Sequence, residues 1–249
     1  MEIQYYVPRT NKKKRRRVRI NVLIILGLLL IFSGIVIVGV YLNSKHNKIF
    51  NGSTFYYVCG FKSKSYKEIE SRQEDVKKLG GAGKIYQKDK FYYMVLSVYI
   101  DKESASEVGE INKKIYPDAE ILEIKAEKPS KQKQREIKNN EVFFKFYKLL
   151  RGNVVAVLNL SMKRLAGNVS ENGFCSELLK QKFEFEEIVS EIDNLINEKN
   201  GNLITNVNLV ILYYNSFFNS YFDSDKKSSV ICDFALSLVQ VYVEFVNNL

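Results

Sequence analysis

Histidine, tryptophan and cysteine are scarce in this chain of 249 residues, and their scarcity excludes several kinds of site. The sequence contains one histidine, His46, no tryptophan and three cysteines. A single histidine excludes imidazole-based catalytic triads and histidine-ligated zinc sites from the globular part. The cysteines are odd in number and lack metal-ligand spacing, and exported domains that depend on disulfides are richer in cysteine. We therefore expect three buried free thiols, with a Cys175–Cys232 disulfide as the alternative.

Acidic residues are almost absent from the first 21 positions, which hold eight lysines and arginines and a single acid, Glu2. The remaining 228 residues hold 30 basic and 27 acidic side chains, so this short segment supplies most of the formal charge of +10. Because the rest of the surface is nearly balanced, the charge does not indicate a nucleic-acid partner.

Residues 22–42 contain no charged side chain, and this is the longest such apolar stretch in the sequence. A helix of 21 residues, rising about 1.5 Å per residue, crosses a hydrocarbon core of about 30 Å. The basic block precedes the stretch, which predicts a cytoplasmic N-terminus, and the residues after Tyr41 form a poor signal-peptidase site. We therefore predict a basic cytoplasmic tail at 1–21 that contacts membrane lipid, an uncleaved single span at 22–42, and an extracytoplasmic remainder.

A polar linker at 43–53 is predicted to lead into a small α+β domain at 54–126. Aromatic and β-branched runs near Phe55, Ile85, Phe91 and Ile121 predict four strands. Ser65 to Leu79 is predicted as one helix with a capping box, and a second helix is predicted to begin at Asp101. The resulting order, β-α-β-β-α-β, is that of ferredoxin-like folds.

The same segment resembles a SPOR domain, the small peptidoglycan-binding module of bacterial division and sporulation proteins. One family mark, Gln-x-Gly-Ser-Phe at the end of the first strand, corresponds here to residues 57–61, Tyr-Val-Cys-Gly-Phe. The other, a third strand followed by an acidic helix that contains alanine, corresponds to residues 92–99 and then 101–105. Val58 stands where the family has glutamine, and Ser97 and Val98 stand where it has Gly-Pro. The resemblance implies glycan binding by the open face of the sheet.

Strand alternation divides the predicted sheet into two faces. The side chains expected to face the two helices are Tyr57, Cys59, Tyr92, Met94, Leu96, Leu122 and Ile124. The face expected to be open carries Tyr56, Val58, Tyr86, Tyr93, Val95, Ile121, Glu123 and Lys125. Tyrosine rings stack on sugars while their hydroxyls form hydrogen bonds, so the glycan-binding residues are predicted to be Tyr56, Val58, Tyr86, Tyr93, Val95 and Glu123. The alternative is that this apolar face docks against the C-terminal half or a partner.

The C-terminal half is predicted to be an all-α helical bundle at 141–249, joined to the sheet domain by a charged linker at 127–140. Apolar residues recur at helical spacing over 142–165, 178–196, 203–222 and 229–246, which predicts four antiparallel helices. Asn206 and Asn208 interrupt the third run and Asp233 and Glu244 the fourth, which disfavours further membrane spans. In the fourth helix a polar stripe is expected opposite the apolar one, formed by Ser229, Asp233, Ser237, Gln240 and Glu244.

Together these features predict a single-pass cell-membrane protein of the cell envelope, without cofactor or metal and without an enzymatic site. Its predicted function is binding of peptidoglycan glycan through the SPOR-like domain, in cell division or sporulation. The alternative is an extracytoplasmic scaffold for envelope or divisome proteins that uses the sheet and the bundle without binding glycan. The sequence leaves open the exact ligand, the oligomeric state and the role of the bundle.

Overall fold

The computed structural model of the chain describes residues 49–193 and 201–249. Residues 51–249 form one compact unit in which the sheet and the helices pack together. The predicted basic tail, the predicted membrane span and most of the predicted linker lie outside the described residues, as do residues 194–200.

The protein is of the α+β class, as predicted, with a four-stranded antiparallel sheet. The strands are β1 (Ser53–Ser63), β2 (Lys84–Lys88), β3 (Phe91–Tyr99) and β4 (Glu120–Ala126). Their order across the sheet is β2-β3-β1-β4, and every neighbouring pair is antiparallel. The turn that joins β2 to β3 places Asp89 at φ 55°, a left-handed conformation that aspartate tolerates because its short side chain can hydrogen-bond locally.

The predicted helix at 65–79 is interrupted and forms α1 (Tyr66–Glu70) and α2 (Gln73–Lys78). The capping-box prediction is wrong, because Ser65 makes no side-chain cap bond. The hydroxyl of Ser63 instead accepts a hydrogen bond from the Ser65 N–H at 3.0 Å and donates to Glu68. Ser71 donates its hydroxyl to the carbonyl of Glu68 at 2.8 Å, a local bond that competes with continuation of the helix.

The second helix, α3 (Lys102–Asn112), begins as predicted, with the Asp101 carboxylate accepting the Ser104 N–H at 2.7 Å. Within the segment predicted as a linker, a further helix, α4 (Lys131–Asn139), forms. The Ser130 hydroxyl caps it by accepting the Lys133 N–H at 3.3 Å, and its Ile137 is fully buried. The junction between sheet and bundle is therefore ordered by packing.

Four long helices follow: α5 (Glu141–Leu165), α6 (Glu171–Asp193), α7 (Gly201–Asp223) and α8 (Lys227–Asn247). Three of them lie within two residues of the predicted boundaries, whereas α6 begins seven residues before its predicted start at 178. Helix α5 packs on α6 and α8, and α7 packs on α6 and α8, so the four close into a bundle. Gly167 ends α5 with φ 76°, a conformation that glycine adopts without steric cost.

Helix α8 is the central element of the compact unit, since it packs on α5 and α7 on one side and on β3 and β4 on the other. Within the described residues it is the one helix long and apolar enough to cross a membrane, yet 72% of its 18-residue apolar window is buried inside the protein. Its apolar character is therefore used in packing between the sheet and the bundle.

The three cysteines are free and buried, as expected, and no Cys175–Cys232 disulfide forms. Burial raises the pKa of the Cys59 thiol and raises that of Cys232 to about 12. Both thiols therefore stay protonated at neutral pH, which favours a packing role for them.

Candidate functional site

The two faces of the sheet are covered by different sets of helices. One face carries a core cluster shared with α1, α2 and α3, which includes Val58, Met94 and Leu96. The other face lies against α8. The ring of Phe55 in β1 meets the ring of Tyr242 in α8 edge to face, with 5.9 Å between their centroids.

Polar contacts hold α8 on that second face around its middle and at its C-terminal end. In the first half of the helix and at its middle, Lys84 in β2 lies 3.4 Å from the Asp233 carboxylate and donates to the Ser237 hydroxyl. Near the helix end, the side chain of Asn247 donates to the carbonyl of Lys125 at 3.0 Å and accepts the Glu127 N–H at 2.7 Å. These contacts join α8 to both edge strands of the sheet, β2 and β4, so the helix lies across the second face.

The six residues predicted to form one glycan-binding face are divided by the structure. Val58 is fully buried in the cluster below α1–α3, and Tyr56 packs against the same cluster. Tyr93 and Val95, at 5% and 0% exposure, lie on the opposite side of β3 from Met94. Tyr86 pairs with Tyr93 across the β2–β3 ladder.

Glu123, the sixth of these residues, pairs with Tyr56 across the β1–β4 ladder and is exposed. Its carboxylate lies 3.3 Å from the ammonium group of Lys125. Glu123 therefore stays accessible while the buried members of the predicted face do not.

The prediction placed the first and last strands on the wrong faces. Tyr57, expected to face α1–α3, packs instead on Tyr86 with 5.3 Å between ring centroids, and Val58 takes the position expected for Tyr57. Two irregularities in the β1–β3 register, around Cys59, shift the phase between these strands. Because β1 is buried on both sides there, its sequence shows no alternation that could reveal the shift.

Two tyrosines of the second face, Tyr57 and Tyr93, are sealed from solvent by burial, whereas Tyr86 is half-buried. Tyr57 has 0% exposure, and burial raises the pKa of its hydroxyl well above the ordinary value. Within the described residues that hydroxyl has no hydrogen-bond partner. A sugar could stack on Tyr57 or Tyr93 only if neighbouring protein groups moved away, because both rings are already covered by protein.

A second site, which the sequence did not reveal, lies where the edge of the sheet meets α7 and α8. This seam cleft has a volume of about 370 Å³. Its polar lining comes from both halves of the unit, and its members are Gln73, Lys77, Lys84, Tyr213, Ser216, Ser220, Ser224, Lys226, Ser229, Asp233 and Ser237. Hydroxyl and ammonium groups therefore predominate in it.

The seam cleft contains part of the polar stripe that the sequence placed on α8. Ser229, Asp233 and Ser237 line it, and the two serines are only 5% and 1% exposed. The periodicity identified these residues correctly as one stripe, and the buried position of the two serines could not be read from it. The partner of Ser237, Lys84, lies 153 residues earlier in the chain, and a pairing over that distance leaves no pattern in the local sequence.

The rim of the cleft is an ionic cluster centred on Glu74. The carboxylate of Glu74 lies 3.2 Å from the ammonium group of Lys226 and 3.4 Å from that of Lys77. Hydrogen bonds from Lys226 and then Lys77 hold the pKa of Glu74 below its usual range. Since Lys84 is paired with Asp233, the cleft and its rim carry three cations and two anions, a surplus of one positive charge.

Comparison with known proteins gives no match. No family model, no curated protein and no solved structure matches this chain. The resemblance to SPOR domains therefore stands on residues 57–61 and 92–105 of the sequence. Within the described residues there is also no group of three or more histidine, cysteine, aspartate or glutamate side chains arranged to hold a metal ion.

Proposed function

We propose that this chain is a non-enzymatic cell-envelope protein, anchored by residues 22–42, whose extracytoplasmic unit at 51–249 binds a protein partner as a scaffold. The proposal rests on the position of α8, which lies against the sheet face that would otherwise be available to bind glycan. With the ring of Phe55 packed on Tyr242 and Tyr57 fully buried near Glu244 of this helix, the sheet serves as a platform for the bundle.

Exposed apolar side chains on the bundle support a protein partner. Leu179 and Phe183 lie one turn apart on α6 with 39% and 57% exposure, and Leu212 and Phe222 of α7 are each 59% exposed. Large apolar side chains on a surface are typical of contact sites for other proteins when they lie together. Helices α6 and α7 pack side by side, which brings their outer surfaces next to each other.

Binding of peptidoglycan glycan is the second candidate, and the strand order favours it. The order β2-β3-β1-β4, antiparallel throughout, is the arrangement expected of the split βαβ motif and therefore of a SPOR-like domain. The same fold can serve different ligands. The strand order therefore supports a SPOR-like fold more strongly than it supports binding of glycan. Glycan binding on the second face would also require α8 to leave its contacts with Phe55 and Lys84.

Sedimentation with isolated cell-wall sacculi separates the two proposals. The scaffold proposal predicts that the full-length protein stays in the supernatant, and that a photo-crosslinking residue at position 183 forms an adduct with an envelope protein in cells. The same crosslinker at Lys90, in the exposed β2–β3 turn, is the control and should form no such adduct. Co-sedimentation with sacculi that Glu123→Gln weakens, with no adduct at position 183, would support glycan binding and reject the scaffold.

A further inference from the structure

We propose that the seam cleft binds a phosphate-type oxyanion at the N-terminus of α8. The volume of about 370 Å³ falls within the range of about 300–1,000 Å³ that is typical of small-ligand sites. The site is distinct from the sheet face and from the exposed surface of α6 and α7, so failure of this inference would leave the proposed scaffold role unchanged.

The first turn of α8 offers a backbone donor to the cleft, the N–H group of Ser229, because this residue lines it. Its N-cap residue, Lys226, makes no side-chain cap bond, and the first bond of the helix runs from the Val230 N–H to the Lys226 carbonyl at 3.2 Å. The N–H groups of the three residues before Val230 have no intrahelical acceptor, as at any helix start. Such groups, together with the helix dipole, are the usual protein donors to phosphate.

A buried hydroxyl provides the second, independent observation. Ser229 lines the cleft, is only 5% exposed, and its side chain makes no hydrogen bond to the part of the chain that the structure describes. Its oxygen is not one of the fully buried polar atoms that lack a partner, so it keeps a small exposure, which it has towards the cleft. An oxyanion at the helix start would accept a hydrogen bond from it.

The charges around the cleft favour an anion, and the carboxylate that now neutralises them is weakly held. Lys77 and Lys226 share Glu74, whose side chain is 64% exposed. Exposed ion pairs contribute little to stability, so an incoming anion can replace this carboxylate at small cost. Two ammonium groups, a hydroxyl and a backbone N–H group are more donors than one carboxylate can satisfy, which favours an anion with three or four oxygens.

The phosphate could belong to a lipid headgroup or to a soluble phosphate ester, since both present the same oxygens. The test uses the full-length protein in a maltoside detergent, with ³¹P line broadening as the measure of binding. Inorganic phosphate is titrated first, and then glycerol 3-phosphate is compared with short-chain phosphatidylglycerol. Tighter binding of the lipid identifies a headgroup site, and tighter binding of glycerol 3-phosphate identifies a soluble ligand.

Four variants test the position of the anion. Lys226→Gln should weaken phosphate binding about tenfold, because it removes one charge-assisted hydrogen bond. Ser229→Ala should weaken it several-fold, and Glu74→Gln should tighten it because the competing carboxylate is lost. Lys227→Gln is the matched control: this neighbouring lysine is paired with Glu171 at 2.6 Å outside the cleft, so its loss should change binding less than twofold.

Thermal midpoints of the variants show whether each one remains folded. Lys226 is a rim residue and Ser229→Ala retains a good helix former, so both should unfold within a few degrees of the parent protein. Absence of saturable phosphate binding at millimolar concentration would overturn the inference. Equal weakening by Lys226→Gln and Lys227→Gln would also overturn it, because it would indicate general attraction to a basic surface.

Discussion

Replacing Tyr242 by alanine should destabilise the sheet and the bundle together. Tyr242 is 1% exposed, its ring meets Phe55 across the interface between α8 and the sheet, and its hydroxyl lies 3.4 Å from that of Ser53. A buried aromatic side chain covers about 200 Å², which at about 25 cal/mol per Å² corresponds to about 5 kcal/mol. Measured costs of replacing buried aromatic residues by alanine are about 3–5 kcal/mol.

We therefore expect Tyr242→Ala to lower the free energy of unfolding of residues 51–249 by about 4 kcal/mol. Hydrogen–deuterium exchange followed by mass spectrometry provides the assay, because it reports peptides of β3 and of α5 separately. If both halves open in one cooperative event, amides protected by global unfolding should exchange roughly a thousandfold faster in both peptides. Tyr242→Phe, which loses the hydroxyl contacts with Ser53 and Tyr147 but keeps the ring, should cost only about 1 kcal/mol.

Faster exchange confined to the helices, with β3 unaffected, would refute this reasoning. It would mean that the sheet is stable without α8 and that its second face can be uncovered. The sheet domain and the bundle would then behave as two domains joined by a linker, and glycan binding by that face would gain support.

Three further predictions concern packing and ionisation. Gly152→Ala should raise the free energy of unfolding by about 0.5–1 kcal/mol in chemical denaturation, since glycine is unfavourable inside a helix and nothing lies within 4 Å of the added methyl group. Gly81→Ala is the contrasting variant and should destabilise the protein, because its methyl group would lie 2.7 Å from Val76. Asn153→Ala should lower the free energy of unfolding by about 1–3 kcal/mol in the same assay, because Asn153 donates to Gln181 at 2.9 Å within a buried network; an unchanged midpoint would contradict this. Burial raises the pKa of Cys232 from 9.0 to about 12. As the pH rises, the unfolded chain loses this proton before the folded protein does, so the free energy of unfolding should fall above about pH 9. Urea titrations at pH 8 and pH 10 should show a smaller fall in the free energy of unfolding for Cys232→Ala than for the parent protein.

The sequence predicted the elements of the fold more accurately than their mutual arrangement. Helices α5, α6, α7 and α8 follow the apolar spacing closely, because each buries one stripe against its neighbours. The predicted helix at 65–79 failed at Ser71, where a side-chain bond to the backbone replaces helix continuation. Such local competition depends on one rotamer, and spacing alone does not show it.

The arrangement of the site depends on contacts that are distant in the sequence. The face to which Val58 belongs is set by register irregularities around Cys59 in a strand buried on both sides. Coverage of the second face depends on pairs such as Phe55 with Tyr242, which are separated by most of the described chain. The sequence did contain one usable signal, the polar stripe through Ser229 and Ser237. These two side chains line the seam cleft, on the side of α8 that carries its polar contacts.

The central claim is that α8 closes the aromatic face of the sheet, and hydroxyl-radical footprinting of the native protein tests it most directly. We predict that Tyr57 and Tyr93 are protected from oxidation, while Tyr66, which is 46% exposed, is modified at a rate typical of a surface tyrosine. Protection of the two buried tyrosines should be lost in urea. Modification of Tyr57 and Tyr93 in the native protein at the rate of Tyr66 would show an open face and would contradict the account.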